Sequence, residues 1–454
     1  MNKIQQGAMC ILAAALFSSG APGWVRAESL LTPAAPQRTS VQAAQVGQAS
    51  PAASADVKPP RKLQPVWQAD TAGSERSALL PVSNGLTYYT DRQQTLHAAD
   101  IRTGKIKWSI KEAGAPEVVT SNTVSFINKA GQLVKADAVS GRIHWKVSAV
   151  KLPNVLGAHI HSVGGLLLVL NEDGGVSAYN PSSGKRIWKN SRLRMYASDV
   201  IGQYSDTLVV ASSVDNMQTR FFGLDPDTGK IRWSLTGFYN KIGTDNGNLV
   251  LREVTEQAMR LFYREKPFRG YQFRLALLDP KTGRIVETEK YGLLQDARLS
   301  VDLQGYLTGK FAYGVEGELD SRNVDNRLTR YLRGSTSPET IKSYAEYGNL
   351  VSGLEEGWFF FQKNGVLTAL RASDDKTVSF GRLPASVETT GVKVEGQYVF
   401  AGLNGGGGYL FNLKTGAPIG RFDTELDLFT HPFFSEGMLF IRTETKIEAF
   451  QIGE

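Results

Sequence analysis

Five histidines, His97, His144, His159, His161 and His431, are the side chains whose type best suits proton transfer or metal binding in this 454-residue chain. Two of them lie in Ala158-His159-Ile160-His161, where strand alternation puts both rings on one face. Two imidazoles are an incomplete ligand set, and no third ligand follows nearby, so no metal site is expected. His97 and His144 sit in strand-like runs and read as structural. Asp225-Pro-Asp227-Thr-Gly229 invites a calcium ion. Calcium takes about six to eight oxygens, however, and this loop supplies too few; a turn capped by Asp is the expectation. Gly405-Gly-Gly-Gly408 joins two strands, and no helix follows to turn it into a phosphate cradle. Cys10 is the only cysteine and falls in the expected leader, which excludes disulfides, thiolate metal sites and thiol nucleophiles from the mature chain. No catalytic residue and no cofactor are expected.

Residues 252–274 are richer in binding chemistry. They combine Arg252, Arg260, Arg264, Lys266, Arg269 and Arg274 with Phe262, Tyr263, Phe268, Tyr271 and Phe273. Arg and Tyr are favoured where interfaces concentrate their energy. Arg260, Tyr263, Arg264, Lys266 and Arg269 are the candidate partner-binding residues, suited to an acidic protein or an anionic envelope polymer. A solvated hairpin whose charges only maintain solubility is the competing reading.

These residues are positioned by a repeat. Leu96-His-Ala-Ala-Asp-Ile-Arg-Thr-Gly-Lys-Ile-Lys-Trp108 is followed by Leu133-Val-Lys-Ala-Asp-Ala-Val-Ser-Gly-Arg-Ile-His-Trp145. Val176 to Trp188 and Phe221 to Trp233 repeat it, and Leu275 to Val286 keeps the turn but loses the Trp. A later copy runs from Tyr409 to Ile419. The turn glycines Gly104, Gly141, Gly184, Gly229 and Gly283 are spaced by 37, 43, 45 and 54 residues, the length of a four-stranded propeller blade. The longest interval contains the basic, aromatic segment, which is therefore expected to project as an enlarged hairpin. Trp67, Trp108, Trp145, Trp188 and Trp233 share one repeat position, and a residue recurring once per blade is expected to pack between blades.

A small residue, Asp, two variable positions, Thr-Gly, three more positions and Trp together resemble the repeat of the pyrroloquinoline quinone (PQQ) type of propeller. The resemblance runs from Leu63 to Glu454. It is similar to the repeat of quinoprotein dehydrogenases, to that of the outer-membrane assembly propeller, and to secreted propellers with no known chemistry. It implies an all-β, closed propeller of about eight four-stranded blades. Val66-Trp67-Gln68-Ala69-Asp70 is expected to complete the last blade beside Met438 to Thr443 and Lys446 to Phe450. Nine strand sets can be marked, counting the closing one; residues 305–344 are the most degenerate and read as a possible elaboration. The alternative activity that the resemblance implies is a PQQ- and calcium-dependent dehydrogenase, clamped in many relatives by a disulfide of adjacent cysteines. The mature chain has no cysteine, and no acidic residue matches a catalytic-base motif of that family. A carbohydrate-active enzyme would need carboxylates paired across the channel, which sequence does not place.

Residues 1–27 read as a signal peptide: Lys3, an apolar run from Ala8 to Phe17, and Val25-Arg26-Ala27 before Glu28. Met9 before Cys10, with almost no apolar run ahead of it, argues against a lipoprotein signal. Residues 28–62, rich in Ala, Pro, Gln and Ser, cannot bury a core and read as a disordered linker. Removing Lys3 and Arg26 lowers the formal charge from +7 to +5, mild for this length. The expected protein is an exported monomer, secreted or periplasmic, with no later transmembrane span. It is expected to be non-catalytic, to bind a protein or polysaccharide partner, and not to meet nucleic acid.

Overall fold

The alternating runs form strands, and the strands form blades. The computed structural model describes residues 60–452 except 73–81, 153–156, 172–174, 194–195, 214–217, 255–267, 298, 321–322, 384–387, 405, 425–430 and 444. The expected signal peptide and all but the last residues of the linker lie outside them. The described residues make nine four-stranded antiparallel sheets. Eight use consecutive strands: sheet 1 spans 82–110, sheet 2 116–148, sheet 3 158–190 and sheet 4 196–237. Sheet 5 spans 239–297, sheet 6 299–343, sheet 7 349–382 and sheet 8 389–422. The nine sheets correspond to the nine strand sets marked in the sequence, counting the closing one. Sheet 9 closes the ring with three strands from 431–451 and Trp67–Asp70 as its outer strand. Its register places Trp67 opposite Ala449 and Asp70 opposite Lys446.

Residues 305–344, read as a possible elaboration, belong to a complete sheet. They lack the Thr-Gly turn and the Trp, so the repeat does not mark them. Their strands still bury apolar residues on both faces, Ala312 and Tyr331 toward sheet 5 and Tyr313, Val315 and Leu328 toward sheet 7. Among the described residues no helix is long and apolar enough to cross a membrane.

Each sheet packs on the next through its own apolar cluster. Tyr89 and Ile101 of sheet 1 meet Trp67 and Phe440 of sheet 9, and Leu96 of sheet 1 meets Phe126 of sheet 2. The succession continues through sheets 2 and 3, 3 and 4, 4 and 5, 5 and 6, 6 and 7, and 7 and 8. Leu410 of sheet 8 and Leu439 of sheet 9 complete the circle. The ring is thus a chain of interblade cores, stabilised by apolar burial at every step.

The repeated Trp and Gly form the joints. Trp67, Trp108, Trp145, Trp188 and Trp233 donate Nε1–H to the carbonyls of Ile101, Ala138, Pro181, Pro226 and Pro280, each in the turn of the following sheet. Each indole lies against that turn's glycine. At Gly229, φ is +68° and an added Cβ would come within 2.3 Å of the Trp188 ring. Glycine is required there twice over, by conformation and by space. The turn Asp caps the loop as expected: Asp225 Oδ1 accepts from the Asp227 and Thr228 amides at 3.1 and 2.9 Å and from Thr228 Oγ1 at 2.9 Å.

The chain enters along sheet 8. Lys62 bridges Arg421 in parallel, and the Leu63 amide donates to the Arg421 carbonyl at 2.8 Å. Leu63 fills the space over Gly420, the residue standing where earlier outer strands carry Trp. The segment leading in from the linker thus covers one outer sheet edge before Trp67–Asp70 covers another.

Candidate interaction face

Antiparallel pairing assigns every connection to one of two faces. The hairpin from the first strand to the second and the Asp-Gly turn from the third to the fourth share one, the turn face. The hairpin from the second strand to the third and the crossovers between sheets share the other, the crossover face. Functional residues on a rigid scaffold usually sit in such connections.

Sheets 5 and 6 rise above their neighbours on the crossover face. The third and fourth strands of sheet 5, Phe268–Leu278 and Ile285–Ala297, have 11 and 13 residues. The first three strands of sheet 6, Leu299–Thr308, Phe311–Asp320 and Asn323–Leu332, have 10 each, against 5 for Leu96–Asp100 in sheet 1. Pairing persists to Phe268 with Ala297 and to Asp320 with Asn323, far beyond the normal blade end. Because Leu278 ends at the turn face, the added length before Phe273 stands at the opposite side. Ring order puts this wall across the channel from sheet 1, which is four steps from both sheets 5 and 6.

Of the predicted partner-binding residues, Arg260, Tyr263, Arg264 and Lys266 lie outside the described residues, and Arg269 lies on the strand Phe268–Leu278. The rest of the segment divides in two. Arg252 is fully buried; its guanidinium stacks 4.1 Å from the Phe273 ring centroid and donates to the Gln272 carbonyl at 3.0 Å. Arg274 donates to Glu253 Oε2 at 3.2 and 3.1 Å. These two arginines anchor the base of the wall and belong to its structure. Tyr271 and Leu293 are exposed above them, with Lys290 Nζ 5.7 Å from the Tyr271 ring centroid.

A titratable cluster lies along the channel. Inner strands of sheets 2 to 5 bring together Glu117, His159, His161, Asp199 and Lys241. His159 and His161 do share one strand face, opposite Leu170 and Leu168. Glu117 Oε2 accepts from the Ile160 amide at 2.5 Å and stands 3.7 Å from His159 Nδ1. Burial pushes the His161 imidazole down to about 4; nearby His159 adds to this, and Glu117 opposes it. Burial raises the Asp199 carboxyl, against the pull of the Val200 amide, Lys241 and His159. Among the described residues no group of three His, Cys, Asp or Glu is placed to hold a metal. Burial thus disfavours the charged forms of one imidazole, His161, and one carboxyl, Asp199, in this cluster. Sequence reasoning found the two histidines but missed Glu117, Asp199 and Lys241, which lie on separate sheets. Aligning inner strands was the available signal: Glu117 and His159 are each the second residue of theirs, Pro116–Val119 and Ala158–Val163.

Across from the wall, two clefts of about 410 and about 260 Å³ flank Gly114-Ala115 and Ile127-Asn128 on the crossover face. The larger one is lined by Arg442 of sheet 9 and by Gln94 and Lys129 in the hairpins of sheets 1 and 2.

The sequence matches the family model described as outer membrane protein assembly factor BamB over residues 61–192 and 111–304, together more than half of the chain. No curated protein matches the sequence. The crystal structure of BamB from Moraxella catarrhalis is similar at 12% identity and a TM-score of 0.42, covering 86% of this chain and 99% of that one. A quinohemoprotein alcohol dehydrogenase from Comamonas testosteroni is similar at 13% identity and a TM-score of 0.42, covering 87% and 77%. The computationally designed Ika8 protein shows 12% identity and a TM-score of 0.44 over 86% and 98%. With the repeat, the joints and the family match in agreement, this chain belongs to the PQQ-like repeat propeller family of the outer membrane protein assembly factor BamB.

Proposed function

We propose that this chain is an exported, non-catalytic scaffold of the cell envelope that binds a protein or an anionic envelope polymer through its crossover face. Membership of a family named for an outer-membrane assembly factor supports an envelope location and a role in assembly or contact. The leader-like residues 1–27 support export. The observation that carries the binding role is where the chain departs from its own repeat. Strands of 10 to 13 residues occur in sheets 5 and 6, and their added length stands on one face. In sequence, the basic, aromatic run at 260–269 leads into Phe268–Leu278, the third strand of sheet 5. A structural device recurs from blade to blade, as the Trp and Gly do at five joints; an elaboration confined to two sheets supports recognition.

The test replaces Arg260, Arg264, Lys266 and Arg269 with Ser together and measures retention on washed cell envelopes. Retention is expected to fall about ten-fold or more, as for loss of a few charged contacts of about 0.5 kcal/mol each. Unchanged retention, with the fold intact by circular dichroism, would sink the proposal.

A further inference from the structure

Sheet 6 leaves its third strand bare where the other sheets cover theirs. In sheets 1, 2, 4, 5, 7, 8 and 9 the outer strand reaches the first residue of the third strand, and in sheet 3 the second. In sheet 6 the third strand, Asn323–Leu332, has 10 residues, and the outer strand, Lys342–Ser343, has 2. The outer strand pairs with Arg330 and Thr329 alone. The Tyr344 amide adds a bond to the Leu328 carbonyl at 2.9 Å, and the chain then leaves for sheet 7 at Asn349. On its other side the third strand is paired along its whole length with Phe311–Asp320. Among the described residues, no strand pairs with Val324 to Asn326 on the outer side.

The direction of the free backbone groups follows from Leu328. Its carbonyl points outward, to Tyr344. Alternate residues of an antiparallel strand turn their N–H and C=O to opposite sides. Asn326 and Val324 therefore present theirs outward too, beyond the end of the outer strand. Such an edge is a template for another strand. Its composition limits which strand. Residues 316–327 carry Glu316, Glu318, Asp320 and Asp325 against Arg322 and Arg327. Two copies of this acidic edge would repel each other, and a basic strand would be attracted.

We propose that this edge docks an extended, basic segment of a partner protein, which adds to sheet 6 as an outer strand and pairs with the backbone of Val324 and Asn326. The proposal rests on the reading of the wall as a protein-binding surface and specifies how the partner is held there.

The test measures retention of the full mature chain on washed cell envelopes. Asn326→Pro removes one outward N–H and leaves the bonds to the second strand in place; edge strands tolerate proline in that orientation. Asn326→Ala keeps the N–H. Retention is expected to fall about ten-fold for the proline variant, the scale of a lost backbone hydrogen bond with its clash. For the alanine variant it is expected to change by less than about two-fold. Asp325→Lys should weaken retention about three-fold; unchanged or stronger retention overturns a basic partner. Equal retention of the proline and alanine variants overturns strand addition. If the fourfold Ser variant of Arg260, Arg264, Lys266 and Arg269 still loses retention in that case, the wall keeps its binding role; if it does not, both readings fall. Should Asn326→Pro misfold by circular dichroism, hydrogen exchange of the wild type decides. Envelopes should slow exchange of the peptide covering Val324 and Asn326, and unslowed exchange overturns the proposal.

Discussion

The joints leading into sheets 1 to 5 differ in kind from those leading into sheets 6 and 7. In the first set an indole from one sheet covers a glycine of the next and donates to its turn carbonyl. In the second set that device is gone and ion pairs replace it. Arg333 of the sheet 6 turn donates to Glu289 Oε1 of sheet 5 at 3.0 and 2.5 Å and to Asp245 Oδ2 at 2.7 Å, while Tyr291 donates to Glu289. At the next joint Asp375 stands at the glycine position with φ +60°. Its carboxylate accepts from Arg330 at 3.0 Å, Lys342 at 2.8 Å and Tyr344 at 2.7 Å. Where the wall rises, the repeat's apolar joint gives way to directional clamps. Neighbouring sheets of one ring are thus joined by two unlike chemistries.

The two chemistries should break differently. Trp188→Ala is expected to cost about 3–5 kcal/mol by urea unfolding, as for other buried aromatic truncations. Adding Gly229→Ala should deepen the loss, because φ there stays left-handed. Arg333→Met should cost about 3 kcal/mol by leaving Glu289 buried without its partner. Adding Glu289→Gln should recover part of it. Recovery in the Trp pair, or none in the Arg pair, would erase the distinction.

Legibility in the sequence follows the same division. Each Trp joint also spans tens of residues, up to 47 between Trp233 and Pro280, but both of its halves belong to one recurring local string, so the copies, the ring closure and the packing role of Trp were all readable. The joints of sheets 6 and 7 are assembled from Glu289 with Arg333 and from Arg330 with Asp375, pairs 44 and 45 residues apart. Nothing local announces them, and sheet 6 was read as a degenerate set or an insertion. The 54-residue interval pointed to an enlarged sheet 5, but nothing in the sequence pointed to the long strands of sheet 6. The base of the wall was misjudged in part, because Arg252 in a basic run looks like surface but is covered by Phe273. Glu117, Asp199 and Lys241 come together only when inner strands of different sheets line one channel.

A smaller effect separates the channel from the joints. His161 has a folded-state pKa near 4, below its ordinary 6.5. The unfolded chain therefore takes up a proton that the folded chain refuses. Stability from this group is present above pH 6.5 and falls as pH drops through the window down to about 4. At pH 5 the loss is about 2 kcal/mol relative to pH 7. Asp199 acts oppositely: with its pKa raised, it destabilises the folded chain at neutral pH, and that cost is relieved as pH falls. His161→Gln isolates the first effect and should flatten the acid limb of a stability profile between pH 7 and 5. An unchanged limb would place the acid sensitivity elsewhere.

Recognition through the crossover face is tested most directly by a photo-crosslinking residue placed, in turn, at Leu293 on the wall and at Ile143 on the turn-face side of sheet 2. They are 64% and 45% exposed, so both can react. In intact cells a discrete adduct is expected from Leu293 and none from Ile143. Adducts from Ile143 alone, or equal adducts from both, would contradict the assignment of binding to the wall.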